Sequence, residues 1–432
     1  MQQKIGTLRL ALTFAGCFLG AGYVSGQELW QYFGAFGARG LLGLALAVVL
    51  LGGTGVLLLR LSARTGIETM DALIVRADIP WLRTAVGVLT AALLFGVVCI
   101  MAAGIGALGN QMLGLPVWLG AAIACVLIAA AAYFGLGGMV SVFTVAVPCM
   151  IVAALVIAGI RLHRTELTAA AFAAGDTNPM LGSWATSAVN YAAYNFFATV
   201  GILAPLTRHL KKPGTAVWGT VLGCVLLLAV ALGVLAALAT SPESTQAPLP
   251  MLDLACRLGA AGAVYAVLLF LGMFGTSVSS LVAVLTYAGQ KSAWLAGHRT
   301  ALLLVLTAAA FAGSLFGFGD LIGTVYPVYG YLGMAAMLLE ELYETVKPSG
   351  DCKVIHDGSV YTLLKSFAAA FLITDKFRLS SVLQYIGVGI GILAVAAMAF
   401  TSGLSQAGAL QIIMFVLIWT ALVIFIPRFK KP

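Results

Sequence analysis

The chain has 432 residues, of which 62% are apolar and only 9% charged, with a formal charge of +8. Soluble domains carry roughly 25% charged residues, so this composition excludes a water-soluble globular protein and implies a chain embedded in a lipid bilayer. The basic excess does not point to nucleic acid, because Lys and Arg lie between apolar runs rather than on one folded face, and the scattered His163, His209, His298 and His356 and an odd seven cysteines offer no metal-ligand spacing.

A helix rising ~1.5 Å per residue needs about 20 apolar residues to cross ~30 Å of hydrocarbon. Runs of this kind cover residues 8–38, 41–60, 84–109, 116–134, 139–160, 183–207, 215–238, 258–287, 300–316, 320–343, 384–400 and 407–427. The sequence therefore predicts an all-α polytopic membrane protein of about twelve transmembrane helices. With the N-terminus inside, Arg39, Arg161, Arg164 and Arg257 fall outside and the other nineteen of the 23 Lys and Arg fall inside. Missing or inventing one span would spoil that partition, so both termini are expected on the cytoplasmic side. The first apolar stretch is too long and too often interrupted by polar residues for a cleavable signal peptide, and the N-terminus is expected to stay in the mature chain.

In chain order, the first unusual element is span one. Gly16, Gly20 and Gly22 fall within seven residues at mid-span, where their poor helix propensity makes unwinding plausible. Unwound backbone at that depth must be buried in protein or line a wet cavity, so a break here points to a binding site; close helix packing is the alternative reading of the glycines alone. Glu28, about two turns on, is costly beside lipid and is expected to face the bundle interior or the outer vestibule. Residues 61–83 mix Glu68, Asp71 and Asp78 with apolar residues, as an interfacial helix would. Span six carries Asn190, Tyr191, Tyr194 and Asn195 near its centre, read as interhelical glue or as the polar lining of a second broken helix. Span eight carries Thr276, Ser277, Ser279 and Ser280, hydroxyls that either bond their own helix or ligate a hard cation. Spans one and six open successive groups of five, and an odd number per group inserts the second group upside down, the layout of an inverted-repeat transporter.

The run Gly20-Ala21-Gly22-Tyr23-Val24-Ser25-Gly26-Gln27-Glu28 resembles the Gly-Ala-Gly-aromatic-x-Ser-Gly-Gln-Glu signature of the YkvI-like bacterial membrane proteins, placed in the amino acid, polyamine and organocation superfamily with the LeuT fold. The resemblance in span order covers about residues 5–343. It implies a five-plus-five inverted repeat over residues 1–343, a cytoplasmic connecting segment over 344–383, and two added spans over 384–432, in a bacterial cytoplasmic membrane. It further implies substrate held between spans one and six, at Gly20, Ala21, Gly22 and Tyr23 on one side and Asn190, Tyr191, Tyr194 and Asn195 on the other. In sodium-coupled relatives the ion joins span-one carbonyls to span-eight hydroxyls, which by position fall on Gly16 and Leu19 with Thr276 and Ser277. Asp320, opening span ten, resembles an outer-gate position. Two departures stand out: span six has no glycine nearer its presumed break than Gly201, and span five has no lysine of the kind some proton-coupled members use.

The function this predicts is secondary active transport of a small polar solute, an amino acid or related amine, by alternating access coupled to Na⁺. Proton coupling through Glu28 is the alternative within that class. A membrane-embedded enzyme, a channel or a sensor are alternatives outside it, although no catalytic constellation and no Walker motif is present. The partners expected are the solute and the lipid bilayer, with no organic cofactor and no nucleic acid. The sequence leaves the oligomeric state open.

Overall fold

A computed structural model of the chain describes residues 5–65, 80–134, 139–203, 207, 210 and 213–346. The expected spans eleven and twelve, the connecting segment beyond residue 346 and the centre of the 61–83 segment lie outside the described residues.

Within them the chain is helical, and the β-pairing recorded is one isolated bridge between Ile5 and Leu210. Span one is divided into α1 (Thr7–Phe18), α2 (Ala21–Val24) and α3 (Gln27–Tyr32). The next four spans correspond to α4 (Ala38–Thr65), α5 (Pro80–Leu113), α6 (Val117–Tyr133) and α7 (Met139–Arg164). The second group comprises α8 (Trp184–Leu203), α9 (Pro213–Ala239), a short α10 (Pro250–Cys256), α11 (Ala261–Lys291), a one-turn α12 (Ala293–Gly297), α13 (Arg299–Ser314) and α14 (Phe318–Val346). Helix ends extend several residues beyond the apolar runs at α4, α5 and α7, because hydrogen-bonded turns continue past the point where the sequence becomes polar.

Among the described residues, four helices are long and apolar enough to cross a membrane singly: Ala38–Arg60, Thr84–Leu113, Gly214–Ala239 and Ala261–Lys291. Arg299–Ser314 and Phe318–Gly333 qualify together but are turned 109° against each other. Gly317 makes that turn at φ +93°, a left-handed conformation open to glycine at no steric cost. Large apolar side chains point outward all along the bundle, among them Trp218 at 68%, Val126 at 67% and Val305 at 65% exposure. A belt of this kind is unfavourable in water and neutral in hydrocarbon, so the bundle's solvent is lipid.

The packing repeats when the first five spans are exchanged with the second five. α1 packs on α9 as α8 packs on α4, α14 on α5 as α7 on α11, and α13 on α5 as α6 on α11. The exchange is imperfect where α14 lies along α8, since its counterpart α7 meets span one at the short α2.

Candidate functional site

The break in span one can be followed bond by bond. α1 ends when Leu19 N–H donates to Ala15 O at 2.9 Å, after which Gly20 N–H turns back to Phe18 O at 2.7 Å and leaves Gly16 O without its helical donor. Tyr23 N–H likewise bonds Gly20 O at 3.1 Å, releasing Leu19 O. The turn of α2 is then held from outside, as buried backbone requires. Ser25 Oγ donates to Gly22 O at 2.9 Å, the Tyr265 hydroxyl of α11 donates to Val24 O at 2.5 Å, and Met251 N–H of α10 donates to Ser25 O at 2.8 Å. Gly26 carries the chain from α2 into α3 at φ +84°, and a Cβ there would lie 2.7 Å from Leu238 Cδ1. A glycine is required at that position on both counts.

Glu28, in the first turn of α3, is buried at 5% exposure and folds back toward the break. Its Oε1 accepts a 2.5 Å hydrogen bond from the Tyr194 hydroxyl of α8, and its Oε2 sits 2.6 Å from where a Gly22 Cβ would be. The carboxyl group thus occupies the space left by a missing side chain. Around it stand Tyr23, Tyr32, Tyr191, Tyr194 and Tyr326, all buried. Tyr32 and Tyr191 meet edge to face at 5.2 Å, Tyr191 and Tyr194 likewise at 5.4 Å, and Tyr326 of α14 stacks on Tyr194 at 4.7 Å. The hydroxyls of Tyr23 and Tyr32 are bonded to Leu227 O and Asn190 Oδ1. That of Tyr191 is buried beside the Glu28 carboxyl group and the Tyr194 hydroxyl.

The reading of span six as a second broken helix is corrected, since α8 runs without interruption from Trp184 to Leu203. Its two asparagines are satisfied in other ways. Asn195 Nδ2 donates to Tyr191 O at 3.0 Å, one turn back on its own helix. Asn190 accepts from Tyr32 and donates through Nδ2 to Pro327 O of α14 at 2.9 Å, which makes it an interhelical link.

That bond belongs to a ladder the sequence did not reveal. Carbonyls of residues 319, 323 and 327 lie on one face of α14, spaced by four. Gln31 Nε2 donates to Gly319 O at 3.0 Å, Asn178 Nδ2 to Gly323 O at 2.6 Å, and Asn190 to Pro327 O. Pro327 has no N–H, so Gly323 O lacks its helical donor and is free for Asn178. The glycines make room: a Cβ at Gly319 would meet Gln27 Nε2 at 2.9 Å, and one at Gly323 would meet Asn178 Nδ2 at 3.2 Å. The ladder fastens α14 to span one, to the segment before α8, and to α8. Asp320, the acidic residue expected at this end, is exposed in the first turn of α14.

On the opposite side of the break, α11 passes close to α2, with the Cβ position of Gly272 3.9 Å from Ala21 Cβ. Thr276 follows one helical turn later on the same face. Ser277 is fully buried, and its hydroxyl donates to Met273 O at 2.8 Å, leaving its oxygen lone pairs available. Ser279 is exposed and bonds Thr276 O, so it faces away from the break.

The chain is a distant homologue of two Bacillus subtilis proteins. It is 24% identical to the membrane protein YkvI over 335 residues, 77% of this chain and 95% of that one. It is 25% identical to the protein YyaD over 346 residues, 78% of this chain and 96% of the relative. No protein-family model matches the chain. Among solved structures it is similar to the inward-facing conformation of the LeuT-fold transporter Mhp1, with a TM-score of 0.58 at 13% identity over 99% of this chain and 91% of the other. It is also similar to a manganese transporter of Eremococcus coleocola, with a TM-score of 0.51 at 14% identity over 98% of this chain and 95% of the other. At these identities the likeness shows a shared LeuT-type fold.

Proposed function

We propose that the chain is a secondary active transporter that moves a small polar solute, an amino acid or related amine, across a bacterial cytoplasmic membrane by alternating access. The observation that carries this reading is the interrupted first span with a buried carboxyl and tyrosine cluster packed against the break, where α2, α3, α8 and α14 meet. Substrate would contact Gly20 to Tyr23 on span one and Asn190 to Asn195 on span six. The exchange symmetry of the packing supports a five-plus-five inverted repeat, and a likeness to transport proteins rather than enzymes supports the same class. The orientation inferred from the basic residues would make the amide-ladder end extracellular, and the ladder would then help to close that side.

Coupling to Na⁺ fits the break. Gly16 and Leu19 carbonyls have lost their helical donors, and Thr276 and Ser277 lie on the helix that passes the break. Oxygens of these two kinds suit a hard monovalent cation. Proton coupling through Glu28 is the second reading, favoured by the burial of its carboxyl group against the Tyr194 hydroxyl. Uptake of labelled amino acids and amines into proteoliposomes, under separate Na⁺ and pH gradients, tests both. Accumulation driven by neither gradient for any solute would refute secondary transport.

A further inference from the structure

Far from the break, the corner where α11 turns into α13 carries cations and an aromatic ring that the candidate site does not involve. α11 spans 31 residues, ~46 Å of helix against ~30 Å of hydrocarbon, and its polar end at Lys291 reaches the headgroup layer. Ser292 then opens the one-turn α12 by accepting from Leu295 N–H at 3.4 Å. α12 folds back on α11, with the Cβ position of Gly289 3.7 Å from Ala296 Cβ. His298 closes the corner: its N–H and its ring Nδ1 donate to Trp294 O at 3.1 and 2.9 Å, and its ring stacks on Trp294 at 4.6 Å. Trp294 is nevertheless 67% exposed, and Lys291 and Arg299 on either side are exposed too. The Lys291 ammonium is held 5.6 Å from the Tyr287 ring centroid.

Charge and depth say what covers this corner. No Asp or Glu occurs between Asp253 and Asp320, and among the described residues neither Lys291 nor Arg299 has an ion-pair partner. Leu304 and Val305, five and six residues beyond Arg299, are exposed, so hydrocarbon begins about 8 Å along α13 from the cations. Tyr133 and Phe134 are exposed at the end of α6, which packs along α13, and the span order puts them on the same side. Exposed aromatic rings at that level belong to the membrane interface. We propose that Lys291, Arg299 and Trp294 form a binding surface for the headgroup of an anionic phospholipid. The ammonium and guanidinium would take the phosphate, and Trp294 would lie against the glycerol region of the same lipid. A zwitterionic lipid brings a cation of its own, which would meet Lys291 and Arg299 as like charge. A free phosphate would leave the Trp294 ring in water.

The test supplies the full chain, in detergent micelles, with equal amounts of phosphatidylglycerol and phosphatidylcholine of matched chains, and counts retained lipids by native mass spectrometry. The wild type should retain phosphatidylglycerol in preference. A basic side chain near an anionic surface is worth about a fivefold factor, so Lys291→Gln with Arg299→Gln should lower the ratio of the two lipids about tenfold or more. Each single substitution should cost about fivefold, and the singles decide the matter if the pair melts lower than wild type in phosphatidylcholine nanodiscs. Trp294→Ala should lower phosphatidylglycerol retention several-fold. Arg164→Gln, exposed on the outer side in the same span order, should leave the ratio unchanged. Phosphatidylglycerol nanodiscs should raise the melting temperature of the wild type more than that of the double variant. Equal retention of both lipids by the wild type, or a wild-type ratio in the double and single variants, would overturn the proposal. So would an equal loss in Arg164→Gln, which would reduce the effect to net charge. Stabilisation by millimolar glycerol 1-phosphate as large as that by the lipid would replace the lipid with a soluble phosphate.

Discussion

Gly20 and Gly22 look equivalent in the sequence motif, and the structure separates them. A Cβ added at Gly20 meets nothing within 4 Å, whereas one at Gly22 lies 2.6 Å from Glu28 Oε2 and 3.7 Å from Glu28 Cδ. Gly22→Ala must therefore push the carboxyl group away from Tyr194. The lost bond to a charged acceptor is worth about 1.5–3 kcal/mol, and a displaced rotamer adds about 0.5–1.5 kcal/mol. Alanine in a helical turn returns about 1 kcal/mol. The net of about 1–3.5 kcal/mol is lost from the folded state, and a carboxyl group displaced from its place beside Tyr191 and Tyr194 should bind solute more weakly. Gly20→Ala, at an extended N-cap position with open space, should cost less than about 1 kcal/mol. Shortening the acid should relieve the clash, so Gly22→Ala with Glu28→Asp should bind better than the two single effects added together predict. Binding of a transported solute to purified variants measures all three. Equal affinity in Gly22→Ala and wild type would show that the carboxyl group is not where the reasoning puts it, or not where solute binds.

Replacing Thr276 by Val and Ser277 by Ala nearly preserves volume while removing two candidate ligands, so the sodium dependence of uptake should fall more than expression does; an unchanged sodium response refutes the sodium site. Asn178→Ala leaves Gly323 O, already deprived of a donor by Pro327, unpaired in the closed state, at a cost of about 1–3 kcal/mol. Hydrogen exchange across residues 318–331 should accelerate roughly 5- to 150-fold, and unchanged exchange would remove the ladder from the closure. In a cysteine-depleted background, an impermeant maleimide added to intact cells should label Glu243→Cys and not Ser292→Cys; the reverse would invert the topology.

The sequence exposed what depends on local composition. Three glycines marked a break in span one because their cost in a helix is intrinsic, and Glu28 was expected to face inward because a carboxyl group in lipid has nowhere else to go. Pairings across long separations were not legible. Gln31 and Gly319 are 288 positions apart, and Asn190 and Pro327 are 137 apart. Polar residues at mid-span look the same whether they line an unwound segment or reach a neighbouring carbonyl, so the sequence of α8 fits a second break although the helix is continuous. One local clue was present in Pro327: a proline inside a span frees a carbonyl four residues earlier, and that carbonyl needs a donor from somewhere. Tyr32 and Tyr326 gave no comparable clue, since a tyrosine in a span is equally a core residue, an interfacial anchor or a site residue.

The candidate site and the amide ladder share components, and on the proposed transport reading this bears on how solute binding would be felt at α14. Tyr194 holds Glu28 through its hydroxyl and stacks on Tyr326 of α14 through its ring. One turn before Tyr194 on the same helix, Asn190 holds both Tyr32 of span one and Pro327 of α14. On the proposed transport reading, a solute that reached Glu28 would act on a ring already in contact with α14. Binding can shift the equilibrium between open and closed only by the difference in its affinity for the two states. The Tyr194–Tyr326 stack offers a physical route to such a difference, because the ring cannot follow a displaced hydroxyl without altering its contact with α14. A rigid cluster remote from α14 would bind solute equally well in both states and move nothing.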